Sequence, residues 1–422
     1  MTGGTRRVGA AWFSLFTLAW LALWTVQLTP LQLLIPLQLN TPDDADGWIS
    51  GVVWSGLVLG VGGIAAVIAG PIAGGLSDRT GGRWGRRRPW SIAGVALATV
   101  SLVALALVDD LPGIPVVWGV AIAWVGVSVG AAVAGSAFTA MIADQLTTQR
   151  GTASAAVASS QAVGIVIGVG TIVLLGLGVV ESYLVLAAFL AVAGVTAALL
   201  LPDPPAPGSA RVAGAARSFR ARTAALRDRD FAWLLSGRLV VNIGNALGTG
   251  LLLFFLLYGL DRDPGTAEDE LLLLIVIYTV FVVIASIIGG RMSDRTGRRV
   301  TPVVIAALVQ ASASFLLAAA PSLTTAMVSA GLLGIGYGAY MSVGLALAAD
   351  VLPFPDDHAR DLGFVNVAAS LGQLLGPLVG ALLVALAGGF WLLFAVGGAL
   401  SVVGGLMTLA LRERDRENSR SL

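Results

Sequence analysis

Twelve apolar runs dominate this sequence of 422 residues, and each is long enough to cross a lipid bilayer as a helix. A spanning helix needs about 20 mostly apolar residues. Only 12% of the residues are charged and 57% are hydrophobic, whereas a water-soluble domain is about 25% charged. We therefore predict an all-α membrane protein. The runs are 12–37, 48–76, 90–109, 115–141, 153–176, 180–200, 230–258, 270–290, 301–320, 323–349, 362–386 and 389–411.

A longer polar segment divides the runs into two sets of six. Residues 201–229 open with four prolines, from Pro202 to Pro207, and then become rich in Arg and Ala. We predict an N-terminal six-helix bundle at 1–200, a cytoplasmic linker at 201–229 and a C-terminal six-helix bundle at 230–422.

Arginine supplies every cation of this chain and is unevenly distributed among the predicted loops. When the N-terminus is placed inside, 23 of the 25 arginines fall in inside segments, Arg238 and Arg262 being the exceptions. The opposite loops are acidic, with Asp43 and Glu181 among their residues. Because cytoplasmic loops carry the excess of basic residues, we expect a multi-pass protein of a bacterial cytoplasmic membrane with both termini in the cytoplasm.

Several function classes lack their required residues. There is no Cys and a single His, so a thiol nucleophile or a Cys-based metal site is excluded, and we predict no metal and no other cofactor. A membrane enzyme would need clustered His, Asp or Glu at membrane depth, which the sequence does not have. The Arg-rich loops are explained by topology, so we predict no nucleic-acid binding.

The two halves carry related motifs in matching loops. Ser77-Asp78-Arg79-Thr80-Gly81 follows the second run of the first half, and Ser293-Asp294-Arg295-Thr296-Gly297 follows the second run of the other half. Both copies have the same orientation in the predicted topology. This arrangement indicates repeats related by an axis along the membrane normal, as in carriers that rock around a midplane site.

The repeated loops also suggest a gating role. A carboxylate beside guanidinium groups can form charge-assisted contacts, and such contacts would act as a latch that rocking breaks. An alternative is that the arginines only fix the topology and bind anionic lipid, and both roles can coexist. The predicted gating residues are Asp78, Arg79, Arg83, Arg86, Arg87 and Arg88 with Asp294, Arg295, Arg298 and Arg299, and a second latch pairs Asp144 with Arg150 and Asp350 with Arg360.

These motifs resemble those of the major facilitator superfamily along nearly the whole chain. The loop from Ser77 to Trp90, with its run Trp-Gly-Arg-Arg-Arg-Pro, is similar to the loop of sucrose carriers and of glycoside–pentoside–hexuronide carriers. The stretch from Trp24 to Gln32 and the segment Ala140–Asp144 resemble the same branch. The resemblance implies the major facilitator fold and transport by alternating access.

Two departures limit the resemblance. Sodium-coupled melibiose-type carriers place an Asp just before the Pro of helix two, whereas Gly70 precedes Pro71 here, so sodium coupling of that type is not expected. Plant and animal sucrose carriers keep charged residues within helix four, but residues 135–139 carry no charge.

Arg238 is the one ionisable residue that lies clearly inside a predicted span. It either faces a cavity that binds a polar or anionic solute, or snorkels to the surface and caps carbonyl groups. Uncharged polar residues near mid-span would suit a hydroxylated solute, although interhelical hydrogen bonds are the ordinary use of such residues. The predicted substrate-binding residues are Trp24, Gln27, Gln32, Ser136, Thr139, Gln161, Arg238, Asn242, Asn245, Tyr337, Tyr340, Asn366 and Gln373.

We expect a monomeric transporter of a small polar solute, a sugar or glycoside, with membrane lipid as a further partner. No carboxylate or His lies near mid-membrane, so proton coupling would have to use Asp144, Asp350 or Asp78, and facilitated uniport is the rival mechanism. An exporter of drugs or metabolites is the second candidate, since one fold hosts many functions. A non-transporting membrane sensor is the third.

Overall fold

A computed structural model describes residues 8–40, 47–110, 112–113, 115–146, 149–203, 228–351 and 358–411. In this part of the chain, 12 helices are long and apolar enough to cross a membrane, which confirms the predicted fold class. They are α1 (Ala10–Gln38), α2 (Trp48–Arg79), α3 (Arg88–Ala106), α4 (Val116–Gln145), α5 (Arg150–Leu175), α6 (Val179–Leu200), α7 (Arg229–Gly259), α8 (Pro264–Thr296), α9 (Val300–Ala319), α10 (Leu323–Val351), α11 (His358–Ala387) and α12 (Trp391–Leu409).

The first helix of each predicted half is irregular where the sequence predicts a continuous helix. In α1 the segment Pro30–Leu34 is π-helical, and in α7 the segment Phe255–Gly259 is π-helical. Pro30 explains the first, because a proline removes one helix hydrogen bond. Single π-turns inside α-helices occur frequently at functional sites, so both helices are candidates for carrying a site.

Contacts between Cα atoms divide the chain into two compact units. The first unit comprises Met1–Ala213 with Gly250–Ile275, and the second comprises Gly214–Thr249 with Val276–Leu422. The division inside α7 falls where its regular helix stops, at Thr249. The bounds predicted from the sequence instead place all of 230–422 in one bundle and 201–229 in a linker. Most of that linker lies outside the described residues, so these boundaries stay a prediction.

Each unit packs its helices in the same pairs. In the first unit α3 packs against α4 and α6, and α1 packs against α5 and α6. In the second unit α9 packs against α10 and α12, and α7 packs against α11 and α12. The correspondence holds for these four pairs of helices. The repeat seen in the loop motifs therefore extends to the packing of the helices within each unit.

Small residues allow these helices to approach closely. A Cβ added at Gly94 of α3 would lie 2.5 Å from the Ala134 nitrogen and 2.6 Å from the Gly130 oxygen of α4. In the second unit, a Cβ at Gly336 of α10 would lie 2.7 Å from the Ala306 oxygen of α9. Contacts of this kind are typical of helix packing in membranes, where small residues bring backbones together.

Candidate functional site

Arg87 is the centre of the Arg-rich loop in the first unit. Its side chain is only 5% exposed and contacts Asp78 at 2.6 Å and Asp144 at 2.9 Å. Its Nη1 also donates to the Ser77 hydroxyl at 2.5 Å. One guanidinium group thus connects the ends of α2 and α4 next to the start of α3. Burial alone would lower the pKa of Arg87, but the bonds and attraction from Asp144 and Asp78 outweigh it and raise that pKa.

Asp203, which follows α6 in the chain, caps the start of α3. Its Oδ2 accepts the backbone N–H groups of Arg87 and Arg88, both at 2.7 Å, which satisfies donors that a helix start leaves free. Gly85 makes this approach possible. Its φ is +86°, and a Cβ there would lie 2.7 Å from the Asp203 carbonyl oxygen. This cap could not be predicted from the sequence, because Asp203 and Arg87 are far apart in the chain.

Arg88 uses its side chain to cap a second helix. The guanidinium donates to the carbonyl oxygens of Ala198 at 3.1 Å, Leu199 at 2.9 Å and Leu201 at 3.3 Å. These carbonyls belong to the C-terminal end of α6, where the last turn has no partners within the helix. A cation there also interacts favourably with the helix dipole. Arg88 therefore fixes the end of α6 to the start of α3.

The second unit repeats this arrangement with fewer charges. Arg299 lies just before α9 and pairs with Asp350 of α10 at 2.7 Å, and its Nη1 also donates to the Ala346 carbonyl oxygen. Ser293 is buried and donates to the Arg298 carbonyl oxygen at 3.4 Å. Arg299 therefore corresponds to Arg87, and Asp350 to Asp144.

The other predicted gating residues divide into three groups. Arg86 pairs with Asp144 at 3.0 Å, so this carboxylate has two arginine partners in the described structure. The side chains of Arg150 and Arg360, the predicted partners of Asp144 and Asp350, lie outside the described part of the chain. Exposed side chains without an ion pair among the described residues are Arg79, Arg83, Asp294, Arg295 and Arg298. Each described ion pair joins two residues of the same unit, and the gating role stays a prediction.

A buried polar cluster lies in the second unit around α7. The Tyr337 hydroxyl donates to Asn242 Oδ1 at 3.3 Å and accepts the Gln373 amide at 2.6 Å. The Asn245 amide contacts the Tyr278 hydroxyl at 3.3 Å, and the rings of Tyr278 and Tyr337 stack with centroids 6.3 Å apart. The structure thus brings together polar groups of α7, α8, α10 and α11. Tyr278 was missed in the sequence because it stands inside the most apolar run.

Arg238 lies one turn before Asn242 in the same helix and is 3% exposed. Its Nη2 approaches the Met341 sulfur at 3.6 Å, and its Nε has no hydrogen-bond partner. The predicted snorkelling or capping role is not seen, since no described carbonyl accepts from the guanidinium. Tyr340, the next predicted residue, is buried and its hydroxyl makes no hydrogen bond among the described residues.

In the first unit the predicted site residues are less connected. The rings of Trp20 and Trp24 continue a series of aromatic contacts along α1. Both indole N–H groups are buried and have no hydrogen-bond partner among the described residues. Ser136 and Thr139 donate to carbonyls of their own helix, at 2.9 and 2.8 Å. Half-buried amides that make no side-chain hydrogen bond among the described residues are Gln27, Gln32 and Gln161. The side chain of Asn366 lies outside the described part.

A clasp of three side chains connects the π-helical region of α7 with α1 and α2 inside the first unit. The Tyr258 hydroxyl donates to Asn40 Oδ1 at 2.5 Å. Its ring stacks on Trp48 with centroids 4.9 Å apart. Sequence reasoning missed this clasp, because nothing local connects residues so distant in the chain.

Twelve bilayer-length helices, a packing pattern repeated in two units and a buried polar cluster define a polytopic membrane protein of the solute-transporter class. The chain belongs to the Major Facilitator Superfamily, whose family model matches residues 55–261 and 238–422. The predicted membership of the major facilitator superfamily is thereby confirmed.

Relatives of known name fall into two groups. The chain is 31% identical over 151 residues to "Putative multidrug resistance protein MdtD" of Klebsiella pneumoniae (strain 342), which covers 36% of this chain and 31% of that protein. It is 25% identical over 175 residues to "Quinolone resistance protein NorA" of Staphylococcus aureus (strain Mu50 / ATCC 700699), covering 42% of this chain and 44% of NorA. The matches thus span less than half the length of either relative.

The fold is similar to that of solved transporters. A crystal structure of a D-xylose-proton symporter aligns with a TM-score of 0.71 at 17% sequence identity, covering 96% of this chain and 98% of that one. This likeness concerns the fold alone.

Proposed function

We propose that this protein is a secondary transporter that moves a small polar solute across the bacterial cytoplasmic membrane by alternating access, with both termini in the cytoplasm. The observation that carries the proposal is the polar cluster around α7, in which Asn242 and Tyr337 are buried and Tyr278 and Gln373 are half-buried. Polar groups inside a membrane-spanning bundle are costly and often mark solute pathways. Four helices contribute to this cluster, which is more than helix packing requires.

The chemistry of the cluster favours a hydroxylated solute such as a sugar or glycoside. Amides and phenolic hydroxyls both donate and accept hydrogen bonds, and the stacked rings of Tyr278 and Tyr337 offer an apolar surface. The loop that resembles those of sucrose and glycoside carriers supports the same assignment.

Asp144 forms ion pairs with two arginines at the end of α4. Its carboxylate is held by Arg86 and Arg87, at 3.0 and 2.9 Å, and so has a structural use that needs its negative charge. We therefore expect the Asp144→Asn variant to keep whatever dependence on a pH gradient the wild type shows. Loss of that dependence with an intact fold would restore Asp144 as the coupling group.

A drug or metabolite exporter is the second candidate. The relatives named above are called resistance proteins, and the half-buried rings of Trp20 and Trp24 on α1 offer an apolar surface for a lipophilic solute.

Flux across proteoliposomes separates these candidates. Vesicles that hold purified protein and a pH-sensitive dye would be challenged with sucrose, maltose, other glycosides and lipophilic cations, with radiolabelled solutes for uptake that moves no protons. Saturable uptake of one sugar would support the first proposal, and a response restricted to the cations would favour the exporter. Empty vesicles and vesicles with denatured protein are the controls.

A further inference from the structure

Two arginines are buried in the described part of the chain, and they have opposite surroundings. Arg87 is 4% exposed and has two carboxylate partners, whereas Arg238 is 3% exposed and has none within 4.0 Å among the described residues. Arg238 stands about 13 Å along α7 from Arg229, at 1.5 Å rise per residue. It is therefore well inside a membrane span, where an unpaired charge is costly and is usually retained for function.

The surroundings of Arg238 supply donors and no anion. Its Nη2 lies 3.6 Å from the Met341 sulfur, and Asn242, one turn further along α7, contacts the Tyr337 hydroxyl. The Nε–H is buried and has no acceptor among the described residues. Asn242 is not the acceptor, because its Oδ1 accepts from the Tyr337 hydroxyl at 3.3 Å and its amide nitrogen donates to the Arg238 backbone carbonyl at 2.8 Å. A buried guanidinium fork with an unused donor, one turn from the polar cluster, is suited to bind an oxyanion.

We propose that Arg238 binds an oxyanion group, a carboxylate or a phosphate, carried by the transported solute. This inference rests on the proposed function and narrows it, because the amides and rings nearby would hold the hydroxylated part of the same solute. It also disfavours lipophilic cations, since a buried cation repels them across a medium of low dielectric constant.

The test measures binding without requiring transport. The chain has 11 Trp and no Cys, so unfolding of the purified full-length protein can be followed by intrinsic fluorescence. The probes are glucose, glucuronate, glucose 6-phosphate, inorganic phosphate and chloride, at matched ionic strength. A ligand that binds only the folded state raises the melting temperature with its concentration.

For the wild type we expect saturable stabilisation by at least one organic oxyanion, with a smaller effect of inorganic phosphate and none of glucose or chloride. In Arg238→Gln the dissociation constant should rise about tenfold to a hundredfold, as loss of charge-assisted hydrogen bonds implies. In Gln310→Leu it should stay unchanged. Gln310 is a buried amide of the same unit that donates to Val241 and Ser401 outside the cluster, so this variant controls for loss of a buried polar group.

Equal stabilisation of wild type and Arg238→Gln by every oxyanion would overturn the inference, as would stabilisation by inorganic phosphate alone. If Arg238→Gln does not fold, Arg238→Lys gives the decision, because lysine keeps the charge and loses the fork. It should bind the organic oxyanion more weakly than the wild type, and unchanged affinity would count against Arg238. Transport of a neutral sugar without any oxyanion binding would leave the proposed function intact and remove this inference alone.

Discussion

Single residues at the Arg-rich ends of the helices hold several elements together. Arg87 connects α2 and α4, Arg88 caps α6, and Asp203 caps α3. The composition of the loop identifies its arginines as a group, but the sequence cannot rank them. The path of the loop, which bends at Gly85, decides which of the five arginines is buried. The contact with Asp203, after the sixth helix, also contributes.

Replacing Arg87 by Gln should lower the free energy of unfolding by about 2 kcal/mol, because hydrogen bonds to charged groups are lost from a buried side chain. Arg83→Gln is the matched control, since Arg83 is exposed and has no ion pair among the described residues. That variant should change the stability by no more than about 0.5 kcal/mol. Thermal unfolding in one detergent compares the two, and equal effects would contradict the role given to Arg87.

Asp203→Ala should destabilise the protein by about 1 kcal/mol, the usual effect of removing a helix N-cap. Asp203→Asn retains an oxygen that can accept the N–H groups of Arg87 and Arg88, and it should lose less. Melting temperatures of the two variants test this order. An Ala variant as stable as the Asn variant would show that the cap contributes nothing.

At the scale of helices, hydropathy predicts the elements well and their irregularities poorly. All twelve spans follow from apolar runs, because a bilayer requires about 20 such residues in each. The π-helical segment of α7 has no comparable signal, since the sequence around Phe255 is as apolar as a regular helix would be. Helix pairing was also only partly predictable. Spaced glycines indicate close packing, but they do not identify the helix that they face.

The contact between α3 and α4 yields a prediction for these elements. Gly94→Ala should cost about 1–3 kcal/mol, since the added methyl group meets the backbone of Gly130 and Ala134 and the helices must move apart. Gly74→Ala is the control, because a Cβ there meets nothing within 4 Å and alanine favours the helix. The comparison uses expression level and thermal unfolding, and an equal loss in both variants would exclude the close contact as the cause.

For the whole molecule, the sequence predicts more about architecture than about cargo. The membrane imposes its pattern on hundreds of residues, so the number of spans and the repeat can be read directly, and the superfamily follows. The proposed solute site rests on a few side chains, and only the folded chain brings Gln373 into contact with Tyr337. The named relatives are identical to this chain at a third or less of the aligned positions, and the matches cover only part of it. The substrate therefore has to be measured directly.

The most direct test of transport is solute flux through reconstituted protein, compared between the wild type and Gln373→Leu. This change removes the amide that donates to Tyr337 at 2.6 Å, at a position in the proposed pathway. Uptake by the wild type should saturate with solute concentration, and Gln373→Leu should raise the half-saturating concentration while Gln310→Leu leaves it unchanged. Flux that is linear in concentration, or the same in wild-type and empty vesicles for every sugar, sugar acid and drug tested, would contradict the account of this protein as a transporter.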